Sequence, residues 1–288
     1  MRNYFTLPGM FYLQNLNSAL WNLKNEHEEY FLKDRFFNSV YGNIPNCIWN
    51  GENMLFSARQ RLATEIDLMF QTYTLQGTQL ILNFTNTELS EADVDNVFSN
   101  IILKHALNAN FNTKCVVNSK SLYEYLLREY PEIVDIYIGK YNDIALNNDL
   151  PISYFLHTNY NNNFELLKQL KYKSSVVITV NPMCYCEKLE PCVLKENIAQ
   201  LTYDPESCKR NTCPVLQNNF TTLNHRQFPT YISNELIAEY NKIGFNHFVL
   251  EEFPCLSQNV EEYLYYFIKP EFYSEARVYL SIKGAYND

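Results

Sequence analysis

Val176-Val177-Ile178-Thr179-Val180-Asn181-Pro182 is a run of five β-branched residues that stops at a polar turn. With almost no polar residue to alternate with the apolar ones, it predicts a strand buried on both faces, as in parallel sheets. Similar short apolar runs recur along the chain: Phe36–Gly42, Gln79–Phe84, Lys114–Val117, Val134–Ile138, Ile152–Leu156 and Phe248–Leu250. Helical periodicity separates most of them, over Ala58–Thr74, Glu91–Leu107, Ser121–Tyr130, Phe164–Leu170 and Tyr231–Ile243. The punctuation agrees: Ser90, with Asp93 three residues on, and Ser233 suit helix N-termini, Pro131 stops a helix, and Gly244 follows one. Strand–helix alternation of this kind predicts an α/β fold, a (β/α)8-type barrel of regular or irregular form, ahead of an open doubly wound sheet. Seven strands are identified, and a weak eighth is expected between Cys213 and Pro229. No Gly-rich phosphate fingerprint follows any strand, which weighs against a dinucleotide-binding fold.

The 288 residues read as one domain, without internal repeats or a Pro/Gly/Ser-rich linker. A lead-in helix is expected over 14–33, a cysteine-rich loop over 181–214, and a helical segment over 258–280 that Pro270 must break. Within that last segment, Tyr263-Leu264-Tyr265-Tyr266-Phe267 reads as a helix packed on the barrel.

A net charge of −9, spread along the chain, argues against general binding to nucleic-acid backbones. No secretory signal and no run of about 18 apolar residues is present, so a cytoplasmic protein with no membrane span is expected. There the 8 cysteines are thiols or ligands rather than disulfides. The 23 tyrosines, abundant asparagine and only 7 glycines fit the codon bias of an AT-rich bacterial or phage genome.

Five cysteines follow the Val176–Val180 strand: Cys184, Cys186, Cys192, Cys208 and Cys213, spaced C-x-C-x5-C-x15-C-x4-C. This is neither a zinc-ribbon nor a ferredoxin spacing, yet four thiolates suffice for zinc or a 4Fe-4S iron–sulfur cluster. Metal or cluster binding is the favoured reading, with free loop thiols and then a disulfide pair as the alternatives. Cys115 reads as core, Cys47 as ordinary, and Cys255 lies where it could reach the barrel mouth.

Strand after strand ends in a polar residue: Asn83, Asn118, His157, Asn181, Glu251. In a barrel the carboxyl ends of the strands share one mouth, so these side chains would line a polar pocket. Asparagine also favours turns whatever the function. Asn83 and Asn181 are the candidate binding residues. His157 is the best-placed histidine, and Glu251 a candidate acid–base or ligand group. His225 and His247 are weaker candidates for a Cys–His pair, and His247 reads as structural.

Asn181, Cys184 and the cysteine-rich loop, with Gly244-Phe245-Asn246-His247-Phe248-Val249-Leu250-Glu251, resemble the U32 (collagenase-like) peptidase family and its uncharacterised relatives in Gram-positive bacteria and phages. Tyr41-Gly42-Asn43-Ile44-Pro45-Asn46-Cys47-Ile48-Trp49-Asn50-Gly51 resembles those relatives as well. The resemblance implies a barrel and, as in several members, four cysteines holding an iron–sulfur cluster. It also implies redox or hydroxylation chemistry on a small molecule or nucleotide. Asn181, Cys184 and Cys192 fill the first places of the family pattern, with Cys208 and Cys213 as further ligands and Cys186 as competitor. Lys195 and Ile198 stand where the family has Arg and His. The Glu-Gly-Arg ending is replaced by Glu251-Glu252-Phe253.

Three readings follow: a metal- or cluster-dependent barrel acting on a small molecule or nucleotide; a non-catalytic binding or assembly protein whose cysteines hold structural zinc or stay free; and a cysteine protease, which has only the family name behind it. Homo- or hetero-oligomers are compatible with each.

Overall fold

The computed structural model describes residues 2–44, 47–50, 63–84, 86–87, 89–133, 135–139, 152–182, 225–253 and 255–285. Parallel strands close into a barrel in chain order: β1 (Asn3–Leu7), β2 (Arg35–Gly42), β3 (Gln79–Phe84), β4 (Lys114–Val117), β5 (Ile136–Ile138), β6 (Tyr154–Leu156), β7 (Val176–Thr179) and β8 (His247–Val249). The last strand pairs with the first, Tyr4 beside His247, Phe5 beside Phe248 and Thr6 beside Val249. Closure removes the sheet edges that would otherwise invite pairing with other chains. The helices are α1 (Gln14–Glu26), α2 (Ala63–Leu75), α3 (Glu91–Val94), α4 (Val97–Ala109), α5 (Lys120–Glu129), α6 (Phe164–Gln169), α7 (Asn234–Lys242), α8 (Leu256–Phe267) and α9 (Tyr273–Lys283). This is the (β/α)8 barrel that the alternation predicts.

The eighth strand is not where the sequence reading put it. It is β1, at the start of the chain, whereas residues 225–229 belong to no strand and 213–224 lie outside the described residues. Asn3–Leu7 is too short to declare itself locally and is held by pairing with β2 and β8. The segment expected as a lead-in helix is therefore the crossover from β1 to β2. It ends at Glu26 and continues as a 3-10 turn at Glu28–Tyr30. The helix expected over Glu91–Leu107 is two: Ser90 and Asp93 form a reciprocal capping box on α3, and Asn96 restarts the chain by capping Ser99. Pro270 breaks the last helical segment into α8 and α9, as expected.

Two apolar compartments result. Tyr41, Ile81, Val116, Phe155, Val177 and Val249, with Tyr137 packed against them, come from alternate strand positions and fill the barrel interior. The intervening residues, such as Leu80, Leu82, Cys115, Val117 and Phe248, join the helix faces in a second, larger core. A β-bulge lets β2 serve both. The pairing passes from Phe5–Phe37 to Thr6–Ser39, leaving the exposed Asn38 as the extra residue. Phe37 can then face the helices while the Ser39 hydroxyl meets that of Thr6 at 2.8 Å.

His247 closes the amino-terminal end of the barrel, stacked on Tyr4 at 5.3 Å, and burial lowers its pKa. Tyr263, Leu264, Tyr266 and Phe267 of α8 are buried against the barrel. No helix of the described residues is long and apolar enough to cross a membrane.

Candidate functional site

Strand alternation carries one polar residue per strand to the lumen side of the carboxyl-terminal end: Asn83 on β3, Asn118 after β4, His157 after β6, Asn181 after β7 and Glu251 after β8. All five are buried. Beneath them lies the aromatic and aliphatic floor of Tyr41, Phe155, Val177 and Val249. A polar rim over an apolar floor at this end is the usual layout of a barrel binding site.

The rim residues differ in how much of their chemistry is still available. Asn181 is fully engaged: its Oδ1 accepts the Glu251 N–H at 2.7 Å, and its Nδ2 donates to the Glu251 carbonyl at 3.2 Å. The amide thus continues the β7–β8 ladder beyond the last strand residues and fixes where Glu251 starts. His157 uses Nδ1 to accept the Asn159 N–H at 3.1 Å, capping the following 3-10 turn. In the neutral ring that bond places the proton on Nε2. Asn83 lies inside β3, paired in register with Val116, and so sits one layer deeper than Asn118. Its amide makes no hydrogen bond among the described residues. Asn118 packs so closely on β5 that a Cβ at Gly139 would lie 2.1 Å from its Oδ1. Only glycine leaves that seat open.

Glu252, beside Glu251, points the other way, toward the β1–α1 connection. A Cβ on Gly9, which adopts φ +66, would come within 2.8 Å of its Oε2. That oxygen is buried without a hydrogen-bond partner among the described residues. Burial first, and the Glu251 charge second, push the Glu252 carboxyl up to about 8. Two adjacent carboxyls thus occupy different environments, with Glu252 held neutral near pH 7. The sequence reading placed both glutamates at the end of the last strand, with one pointing inward, and chose Glu251; the confinement of Glu252 was not visible there, because Gly9 comes from the far end of the chain.

Cys184, Cys186, Cys192, Cys208 and Cys213 lie outside the described residues. The chain on either side of them is placed. Val180 accepts the Ile232 N–H at 2.9 Å, and Asn161 Nδ2 donates to both the Thr179 and the Thr230 carbonyls at 2.7 Å. The described chain therefore stops at Pro182 and resumes at His225 on the same, mouth-side end of the barrel. Where the described chain resumes, His225 Nε2 lies 3.3 Å from Glu262 Oε1 on α8, both side chains buried. Arg226 Nη2 binds the same oxygen at 2.9 Å while stacking over Tyr265. His225 thus lies beside the Arg226–Glu262 ion pair and in no Cys–His pair among the described residues. No group of three or more His, Cys, Asp or Glu side chains able to hold a metal occurs among the described residues. Cys115 is buried core, Cys47 is buried with its thiol 3.1 Å from the Ser99 hydroxyl, and Cys255 is exposed at the start of α8.

Comparison with known proteins finds a likeness of structure. The fold is similar to that of the U32 peptidase Mk0906, with a TM-score of 0.51 and 12 % sequence identity over 88 % of this chain and 94 % of that one. Likeness at that identity is a likeness of fold. No protein-family model matches the sequence. No curated protein matches it either.

Proposed function

We propose that this chain binds a small molecule or nucleotide at the carboxyl-terminal mouth of its barrel. Cys184, Cys192, Cys208 and Cys213 would hold a 4Fe-4S cluster or a zinc ion above that mouth, with Cys186 as the competing ligand. The observation that carries the reading is the Asn161 bridge between Thr179 and Thr230. It ties the described chain on either side of the cysteine-bearing segment to the rim that presents Asn83, His157 and Glu251. In this reading Asn83 and the Nε2 side of His157 orient the ligand, and Glu251 is the acid–base group. Asn181 positions Glu251 through its backbone. A cluster would supply redox capacity and zinc would supply Lewis acidity.

One observation favours the non-catalytic alternative. Asn181 and one ring nitrogen of His157 are already spent on backbone hydrogen bonds, as expected of residues that shape a rim rather than work in it. Anaerobic purification with visible absorption and iron and zinc analysis separates the readings. About four irons per chain and a brown colour support a redox centre. One zinc in a colourless protein supports a structural site or a Lewis acid. Metal-free protein with every thiol titratable overturns both metal readings.

A further inference from the structure

α9 (Tyr273–Lys283) packs on α1 and α8 through one face, and no other described element covers the opposite face. On that outer face lies a shallow groove of about 580 Å³, lined by Ser274, Glu275, Val278, Tyr279, Ile282 and Lys283. Val278 is 59 % exposed and Ile282 is 68 % exposed, one helical turn apart. Apolar side chains stacked at that spacing form a stripe rather than scattered surface residues. Glu275 lies at the amino-terminal end of the stripe and Lys283 at the other, both exposed. Neither has an ion pair among the described residues, although neighbouring Arg277 is paired with Glu261 at 2.8 Å.

We propose that this face is a two-fold, antiparallel contact with the same helix of a second copy of this chain. The face is complementary to itself. A two-fold interface must present one patch that matches itself when inverted. With the axis beside Tyr279, Glu275 of one copy stands level with Lys283 of the other, because both are four residues from the axis. Val278 then lies within about 3 Å, along the axis, of the level of Ile282 in the second copy, given a rise of about 1.5 Å per residue. Two acid–base pairs therefore flank a central aliphatic contact. Tyr279, at the edge of the groove, holds the helix to α1 through a hydroxyl that binds Glu26 at 3.2 Å. One helix face is a small contact, and the −9 charge of each copy opposes it at low salt. The dimer is accordingly weak, concentration-dependent and favoured by moderate salt.

Sedimentation velocity of the full chain over a wide concentration range at moderate salt tests this. The expected result is a shift from the 34.0 kDa chain toward twice that mass as concentration rises. Ile282→Glu is expected to hold the chain monomeric with an unchanged circular dichroism spectrum. Glu275→Lys and Lys283→Glu alone are each expected to weaken association about tenfold, and the two together to restore it. A chain monomeric at every concentration overturns the proposal and leaves the groove to a different occupant. So does a dimer indifferent to Ile282→Glu, and so does a double reversal that associates no better than either single one.

Discussion

Asn181 holds Glu251 at both of its backbone polar groups, accepting its N–H at 2.7 Å and donating to its carbonyl at 3.2 Å. The two residues are 70 positions apart in the chain and sit where β7 and β8 have run out of ladder. The contact sets the backbone path from which Glu251 and Glu252 diverge. Asn181→Ala orphans two buried backbone groups, at a cost of about 1–3 kcal/mol each. The expected outcome is a urea midpoint lowered by about 2 kcal/mol or more in stability. An unchanged midpoint would show that the rim holds without the amide.

Glu252 gives the protein a pH dependence of defined sign. Its carboxyl titrates near 4.5 in an unfolded chain and at about 8 in the folded one. Between those values folding takes up a proton, so stability falls as pH rises through the window, and the loss is complete above about 8. Glu252→Gln keeps the shape and cannot ionise. Its melting temperature is expected to exceed that of the unaltered chain by several degrees, on the order of 5, at pH 9. The gap should close toward pH 5. Parallel melting curves across that range would place Glu252 in water instead.

Gly9 and Gly77 share a left-handed backbone, φ +66 and +70, but not a neighbourhood. A Cβ at Gly77 meets nothing within 4 Å, whereas one at Gly9 lies 2.6 Å from Leu13 Cγ and 2.8 Å from Glu252 Oε2. Gly77→Ala is expected to cost about 1–2 kcal/mol, the price of the conformation alone. Gly9→Ala should cost clearly more, since a packed leucine and a buried carboxyl must also move. Calorimetry of both variants compares them directly, and equal losses would remove the crowding argument.

The three described thiols should react in a fixed order. Burial pushes the Cys47 thiol up to about 11 and raises that of Cys115 as well. A hydrogen bond from the Ser257 hydroxyl lowers that of the exposed Cys255. Iodoacetamide at neutral pH is expected to label Cys255 at least about tenfold faster than the other two, read by peptide mass spectrometry. Equal rates would mean that the core around Cys47 and Cys115 opens readily.

Much of the barrel was legible in the sequence because its signals are local. The Ser90–Asp93 capping box, the Ser233 cap and the break at Pro270 each depend on residues within one turn of one another. Glu251 and His157 could be placed at the mouth for the same reason, as residues just past an apolar run. The functional state of the rim was not legible. A sequence does not show that Asn181 is bound to a backbone, or that Asn83 sits a layer deeper than Asn118.

By itself the sequence determined the barrel class, most element positions and the polar character of one rim, since period and punctuation are properties of neighbouring residues. Tertiary structure alone decided that Asn3–Leu7 is the closing strand, because five residues become a strand only when β2 and β8 supply their hydrogen bonds. It alone decided that Glu252 is the neutral carboxyl, because its surroundings come from Gly9 and Leu13 at the other end of the chain. Burial and partnership are set by what the fold brings alongside, and a residue's own sequence neighbours carry no record of it.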